Sequence, residues 1–315
     1  MDFPALVALL PVVVLIAAGL LAARAQWIRA TAIKDLSNLV FYVLSPALLF
    51  RTMANVHITE LDFRPIAIYF LAAGLLFALT LKLYGFTTLA AARGLANTFS
   101  NNAMIGIPVV SLTYGEAGLV TLFTLISVHS LVLMSTGTVV FELAQARQFS
   151  QGGKPQNLWR TVWQAIRNSI VHPIPIPIIA GLLYGQTGWA IPAVLDKPML
   201  LLGQSLGPVA LVLVGVTLGH SKMGHLVLPG LRIALAKTVA MPIIFLTVGT
   251  LMGLQGLPLA VMAIAAGLPV GANVYMFAQR YGVAQDEITA SIAISTGLCV
   301  ISLPVLLLIL QAYFV

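Results

Sequence analysis

Apolar runs recur along the whole chain, separated by short stretches that hold most of its charge. Each run is about 20 residues long, enough for a helix to cross a hydrocarbon core about 30 Å thick. The pattern predicts ten membrane segments, at about 3–21, 36–53, 65–83, 95–113, 119–141, 166–183, 199–218, 231–251, 257–278 and 288–310. The one long polar stretch, Glu142 to Arg160, carries Gln-Gly-Gly-Lys-Pro at 151–155 and reads as a cytoplasmic linker over 145–160. It separates two five-segment halves, 1–144 and 161–315.

Charge tests that count. With residue 1 outside, the inward connections hold Arg24, Arg29, Lys34, Lys82, Arg93, Arg147, Lys154, Arg160, Arg167, Lys222, Arg232, Lys237 and Arg280; the outward ones hold only Arg51, Arg64 and Lys197. Thirteen against three is a strong positive-inside bias, which a missed or extra helix would scramble. Only Asp2 precedes the first apolar run, while Arg24, Arg29 and Lys34 follow it. That flank predicts a retained helix rather than a signal peptide, with both termini on the periplasmic side.

Composition narrows the class. Of 315 residues 60% are hydrophobic and 8% charged, with mean hydropathy +1.01; soluble proteins carry about 25% charged residues. The net charge of +7 does not point to nucleic acid, because the basic residues sit singly at segment ends. Cys299 is the sole cysteine, so neither a disulfide framework nor a cysteine metal cluster is available. No zinc-protease or phosphate-loop motif occurs, and no organic cofactor is expected.

The halves echo each other. Leu44-Ser45-Pro46 matches Leu206-Gly207-Pro208, Pro65 matches Pro229, and Gly106-Ile107-Pro108-Val109 matches Gly267-Leu268-Pro269-Val270, at offsets of 162, 164 and 161 residues. An odd number of helices per repeat inverts the second copy, an arrangement typical of secondary transporters. Gly106–Pro108 and Gly267–Pro269 fall mid-segment, where proline removes a donor and glycine tolerates a break. A break in lipid has to face protein, water or substrate. Segments 4 and 9 are therefore expected to be discontinuous and crossed, aiming amide donors and partial positive charge at an anion.

Polar side chains gather there: Ser100, Asn101 and Asn102 before Pro108, and Asn273 after Pro269. Amides both donate and accept, so they suit a carboxylate as well as helix contacts. Lys237 lies in segment 8 close to Pro242. An ammonium at that depth costs at least about 2.5 kcal/mol, which suggests pairing with an anionic substrate, or a fixed charge where other transporters bind sodium. Snorkelling to the cytoplasmic face is the plain alternative. His129, flanked by Ser127 and Ser130 in segment 5, is a candidate for proton coupling or a neutral helix contact. The acids all lie at segment ends or in loops, so no intramembrane carboxylate selects a cation. Ser45, Gln204 and Tyr275 are further candidate lining residues. Gly203-Gln-Ser205-Leu-Gly207 fits a hydrolase elbow, but in an apolar helix its glycines, with Gly215 and Gly219, suit close helix packing instead.

The stretches Leu39–Phe50, Asn101–Pro108, Ala236–Pro242 and Ala266–Leu308 resemble the auxin efflux carrier family, in its bacterial malonate/malate permease-like branch. The resemblance implies an all-α polytopic protein of the bacterial inner membrane, with ten helices in two inverted repeats, similar in fold to the bile-acid symporters. It also implies a scaffold of segments 1, 2, 6 and 7 able to form a homodimer, and a transport domain of 3–5 and 8–10. Asn102, Pro108, Pro269 and Asn273 take the crossover roles by position. The expected function is elevator-type transport of small organic anions, coupled to protons, to sodium or to neither. The alternatives are a sodium-coupled symporter of larger amphipathic anions and a membrane sensor that binds a ligand without moving it.

Overall fold

The computed structural model describes residues 4–56, 61–148, 163, 175–220 and 227–313. Among the described residues the regular structure is helical, with a single isolated β-bridge. The helices are α1 (Pro4–Arg24), α2 (Ala32–Met53), α3 (Arg64–Tyr84), α4 (Thr88–Thr98), α5 (Ile107–Gln148), α6 (Pro175–Gly185), α7 (Ala193–His220), α8 (Val227–Leu251), α9 (Gly256–Gly267), α10 (Asn273–Tyr281) and α11 (Gln285–Tyr313). Six of the helical stretches are long and apolar enough to cross a membrane: α2, α3, α5 with its preceding turn, α7, α8 and α11. The chain is a multi-pass membrane protein.

Among the described residues three π-helical turns interrupt this pattern, Val40–Leu44 in α2, Asn102–Gly106 before α5 and Ala236–Ala240 in α8. Each is followed by a residue and then a proline: Pro46, Pro108 and Pro242. At each turn's end the backbone N–H of Ser45, Ile107 or Met241 bonds the carbonyl five residues back, on Val40, Asn102 or Ala236. Proline offers no N–H and its ring crowds the carbonyl four residues back. The widened turn re-routes the ladder ahead of that defect, so the helix runs on.

The breaks lie elsewhere in segment 4 than the motif predicts. After α9 the chain turns extended at Leu268 (φ −62, ψ 154), so Gly267–Pro269 does mark a break. After α4 it turns extended at Phe99 (φ −83, ψ 110), and Gly106 sits in the π-turn, with Pro108 in the first turn of α5. The π-turn absorbs the missing proline N–H, so Gly106–Pro108 is helical and the break in this segment lies before it. The two true breaks meet. Ser100 and Val270 form an antiparallel bridge, Asn101 N–H donates to the Pro269 carbonyl at 2.9 Å, and Gly271 N–H donates to the Phe99 carbonyl at 2.9 Å.

Helix α5 leaves helical geometry at Gly115 (φ 60, ψ −150), between predicted segments 4 and 5. Only glycine enters that region readily. Its far end continues to Gln148, past the predicted linker start at 145, because Ala144, Gln145, Ala146 and Arg147 are good helix formers. The rest of the linker and the start of predicted segment 6 lie outside the described residues.

Small residues set the packing. A Cβ placed on Gly19 would stand 2.0 Å from the Val212 carbonyl oxygen, and one on Gly215 would stand 2.0 Å from that of Ile16, so α1 and α7 touch backbone to backbone. Helix α2 packs on α6 through Gly181 and on α7 through Gly203. The other helices form a second group: α3 lies on α4 and α8, α8 on α11, and α9 on α5, α8 and α11. A bidentate pair, Arg93 to Glu287 at 2.8 and 3.0 Å, ties α4 to α11. Their side chains are only 20% and 10% exposed. Arg93→Met strands the carboxylate and is expected to cost about 2–3 kcal/mol. The Arg93→Met, Glu287→Leu double variant recovers most of it, as thermal unfolding in detergent would measure.

Candidate functional site

A cavity of about 460 Å³ opens against the paired breaks. Asn101 to Met104 and Gly271 to Asn273 with Tyr275 form one wall, so the first turns after both breaks face it. Helix α5 contributes Ile126, His129 and Ser130, and α11 contributes Thr289, Ile292, Ala293 and Thr296. On the other side stand Ile33, Ser37 and Phe41 of α2 and Val214, Thr217 and Leu218 of α7. The first N–H groups of a helix have no partner within it and carry partial positive charge. Two such turns here converge on one space.

Asn102 is 4% exposed, and neither its Oδ1 nor its Nδ2 has a hydrogen-bond partner. Leaving a buried polar group unpaired costs about 1–3 kcal/mol, and Asn102, which borders the cavity, carries two such atoms. Asn101 is occupied differently. Its Oδ1 accepts from Met104 N–H at 3.3 Å and its carbonyl accepts from Ile105 and Gly106, which anchors the π-turn. Asn273 opens α10 and is half-buried, and Tyr275 is 36% exposed.

Behind the breaks, the free carbonyls at the end of α9 are capped by side chains. Ser100 Oγ donates to the Ala265 carbonyl at 2.7 Å, and Lys237 Nζ donates to the Ala266 carbonyl at 2.5 Å. Lys237 is fully buried and does not line the cavity, where sequence reasoning expected it. Its charge sits instead on the negative end of α9's dipole, a favourable place for a cation. Snorkelling is likewise ruled out by that burial. Tyr69 Oη bonds Ser100 Oγ at 2.8 Å and His129 Nε2 at 3.3 Å, which links the cavity wall to the same carbonyls.

A family model described as "Membrane transport protein" matches residues 4–307. The chain belongs to that family. It is the auxin efflux carrier family that the sequence resembles. A protein of Rhizobium meliloti (strain 1021), named "Putative malonate transporter", is 27% identical over 311 residues, covering 96% of this chain and 95% of its own. The protein is a membrane transporter and not an enzyme. Ser205 fits that conclusion: it lies inside the unbroken α7, where its Oγ donates to the Leu201 carbonyl at 2.9 Å, and no strand–turn–helix elbow is present there.

In this carrier, several expected lining residues fall away from the cavity. Gly106 lets the broken segments approach, since a Cβ there would stand 2.8 Å from Leu268 Cδ1. Pro108 packs near Gly207, and Gly267 against Leu306. Pro269 supplies the carbonyl that holds Asn101. Ser45 is buried in α2 with its hydroxyl unpartnered but away from the cavity, and Gln204 lies on an exposed face of α7. Sequence reasoning missed Tyr69, Ser37, Thr217, Thr289 and Thr296. Hydroxyls scattered through apolar helices usually bond their own backbone, as Thr217 does to Leu213, so they carry no distinguishing signal.

Proposed function

We propose that the protein carries small organic anions, mono- or dicarboxylates, across the bacterial inner membrane, and that the cavity at the breaks is the binding site. Asn102, which borders a space where two helix N-termini converge and whose amide no protein group satisfies, supports this most. Asn273, Tyr275 and the Ser130 hydroxyl add groups able to donate hydrogen bonds to a carboxylate, while the hydroxyls of Ser37 and Thr296 donate to the Ile33 and Ile292 carbonyls of their own helices. The malonate in the relative's name fits the size of such a solute.

In this reading ten crossings form two inverted repeats with both termini periplasmic. α1, α2, α6 and α7 are the scaffold and dimer platform, and the remaining helices move as a unit. The close packing within each group, and a cavity walled by α2 and α7 on one side and by the breaks, α5 and α11 on the other, support a substrate that rides on one group past the other.

Counterflow in proteoliposomes tests it. Vesicles loaded with unlabelled malonate, succinate or lactate are expected to accumulate the labelled form of at least one, with sodium present or replaced by choline. A sensor shows no counterflow, and loss of counterflow in choline would favour the sodium-coupled symporter.

A further inference from the structure

Among the described residues that line the cavity there is no Asp, Glu, Lys or Arg, and His129 is the one side chain there able to take a positive charge. It is 2% exposed, wedged against Tyr69 at 5.8 Å and edge-on to Phe99 at 4.7 Å between ring centroids. What it shows to the cavity follows from the direction of three hydrogen bonds. The Ala265 carbonyl can only accept, so the single hydroxyl proton of Ser100 goes to it. The Ser100 oxygen is then left to accept from Tyr69 O–H, and the Tyr69 oxygen to accept from His129 Nε2–H. A neutral imidazole carries one N–H. Its Nδ1 is therefore a bare lone pair, and it has no hydrogen-bond partner among the described residues.

A lone pair on the wall of an anion site is the wrong sign: it repels a carboxylate, which also only accepts. A proton on Nδ1 reverses this, making a donor and a full positive charge. Tyr69 from α3 bonds the ring, Lys237 of α8 caps the carbonyl next to the one that Ser100 holds, and Tyr275 of α10 borders the same cavity. None of these is a carboxylate. Imidazolium and ammonium on one helix break are balanced only when an anion arrives.

We infer that His129 is the proton acceptor of this carrier, taking a proton on Nδ1 as a carboxylate enters and returning it as the carboxylate leaves, so that anion and proton cross together. The proton comes from water on the entry side and goes to water on the exit side, with no other bond changed. Tyr69 and Ser100 are positioning residues that hold the tautomer. The inference rests on the cavity being the anion site.

Proteoliposomes containing a pH-sensitive dye, given malonate or succinate, read both fluxes. The wild type is expected to move about one proton with each anion beyond that carried by the anion itself. His129→Gln, whose amide donates without titrating, is expected to lose that extra proton at whatever flux remains. Tyr69→Phe frees the tautomer and is expected to lower the ratio with the histidine intact. Should His129→Gln be too slow to read, calorimetry of malonate binding to the wild type in two buffers of different ionisation heat measures proton uptake directly. Wild-type transport or binding without an extra proton, or an unchanged ratio in His129→Gln, overturns the inference. Absence of counterflow for the whole panel instead removes the carrier reading, and this inference with it.

Discussion

Asn102→Leu is expected to lower the initial rate of anion counterflow about 10–100-fold, the loss of one or two hydrogen bonds to a charged ligand. The same substitution should leave thermal stability unchanged or raised. Leucine has nearly the shape of asparagine, and it removes two buried polar atoms that no protein group satisfies. Most buried asparagines behave the other way, because they hold helices together and their loss lowers stability. A variant that is as stable as the parent and does not transport separates a ligand-facing amide from structural glue. Unimpaired counterflow would take Asn102 out of the substrate path, and a large loss of stability would assign it to helix packing.

Gly215→Val is expected to do the opposite, destroying the fold with no direct effect on the site. The first atom of any side chain at Gly215 would overlap the Ile16 carbonyl, and Gly19 presents the same conflict from the facing helix. Lipid offers little hydrophobic drive between helices, so α1 and α7 hold together by close contact of small residues. Forcing them apart is expected to cost about 3 kcal/mol or more. Solubilised protein should lose its monodisperse peak in size-exclusion chromatography. Gly74→Ala in α3 is the control, since a Cβ there meets nothing within 4 Å. Equal behaviour of the two variants would show that the α1–α7 contact does not govern stability.

Much of the helical framework was legible from hydropathy because the bilayer permits few backbone solutions. The run at 65–83 became α3 at Arg64–Tyr84, and the run at 199–218 lies within α7 at Ala193–His220. Gly215 and Gly219 were readable as packing glycines, and at both positions an added Cβ would clash with α1. The break in segment 4 lies away from its Gly-Ile-Pro motif because proline does not cause it. Pro46, Pro108 and Pro242 are each absorbed by a π-turn, whereas the actual break falls at Phe99–Asn101, which contains neither proline nor glycine. It persists because a second broken chain supplies Pro269 and Gly271 as hydrogen-bond partners, and a partner 168 residues away in sequence leaves no local mark.

The sequence alone determined the membrane class, the main helical runs and the family, since each depends on local composition or short motifs. Tertiary structure alone decided which buried polar groups find a partner in the protein and which are left over. Lys237 and Asn102 looked alike as buried polar residues near a break, yet one caps a carbonyl and the other is left with both amide atoms free. A side chain's partners are set by the helices that pack around it, and no single segment contains that information.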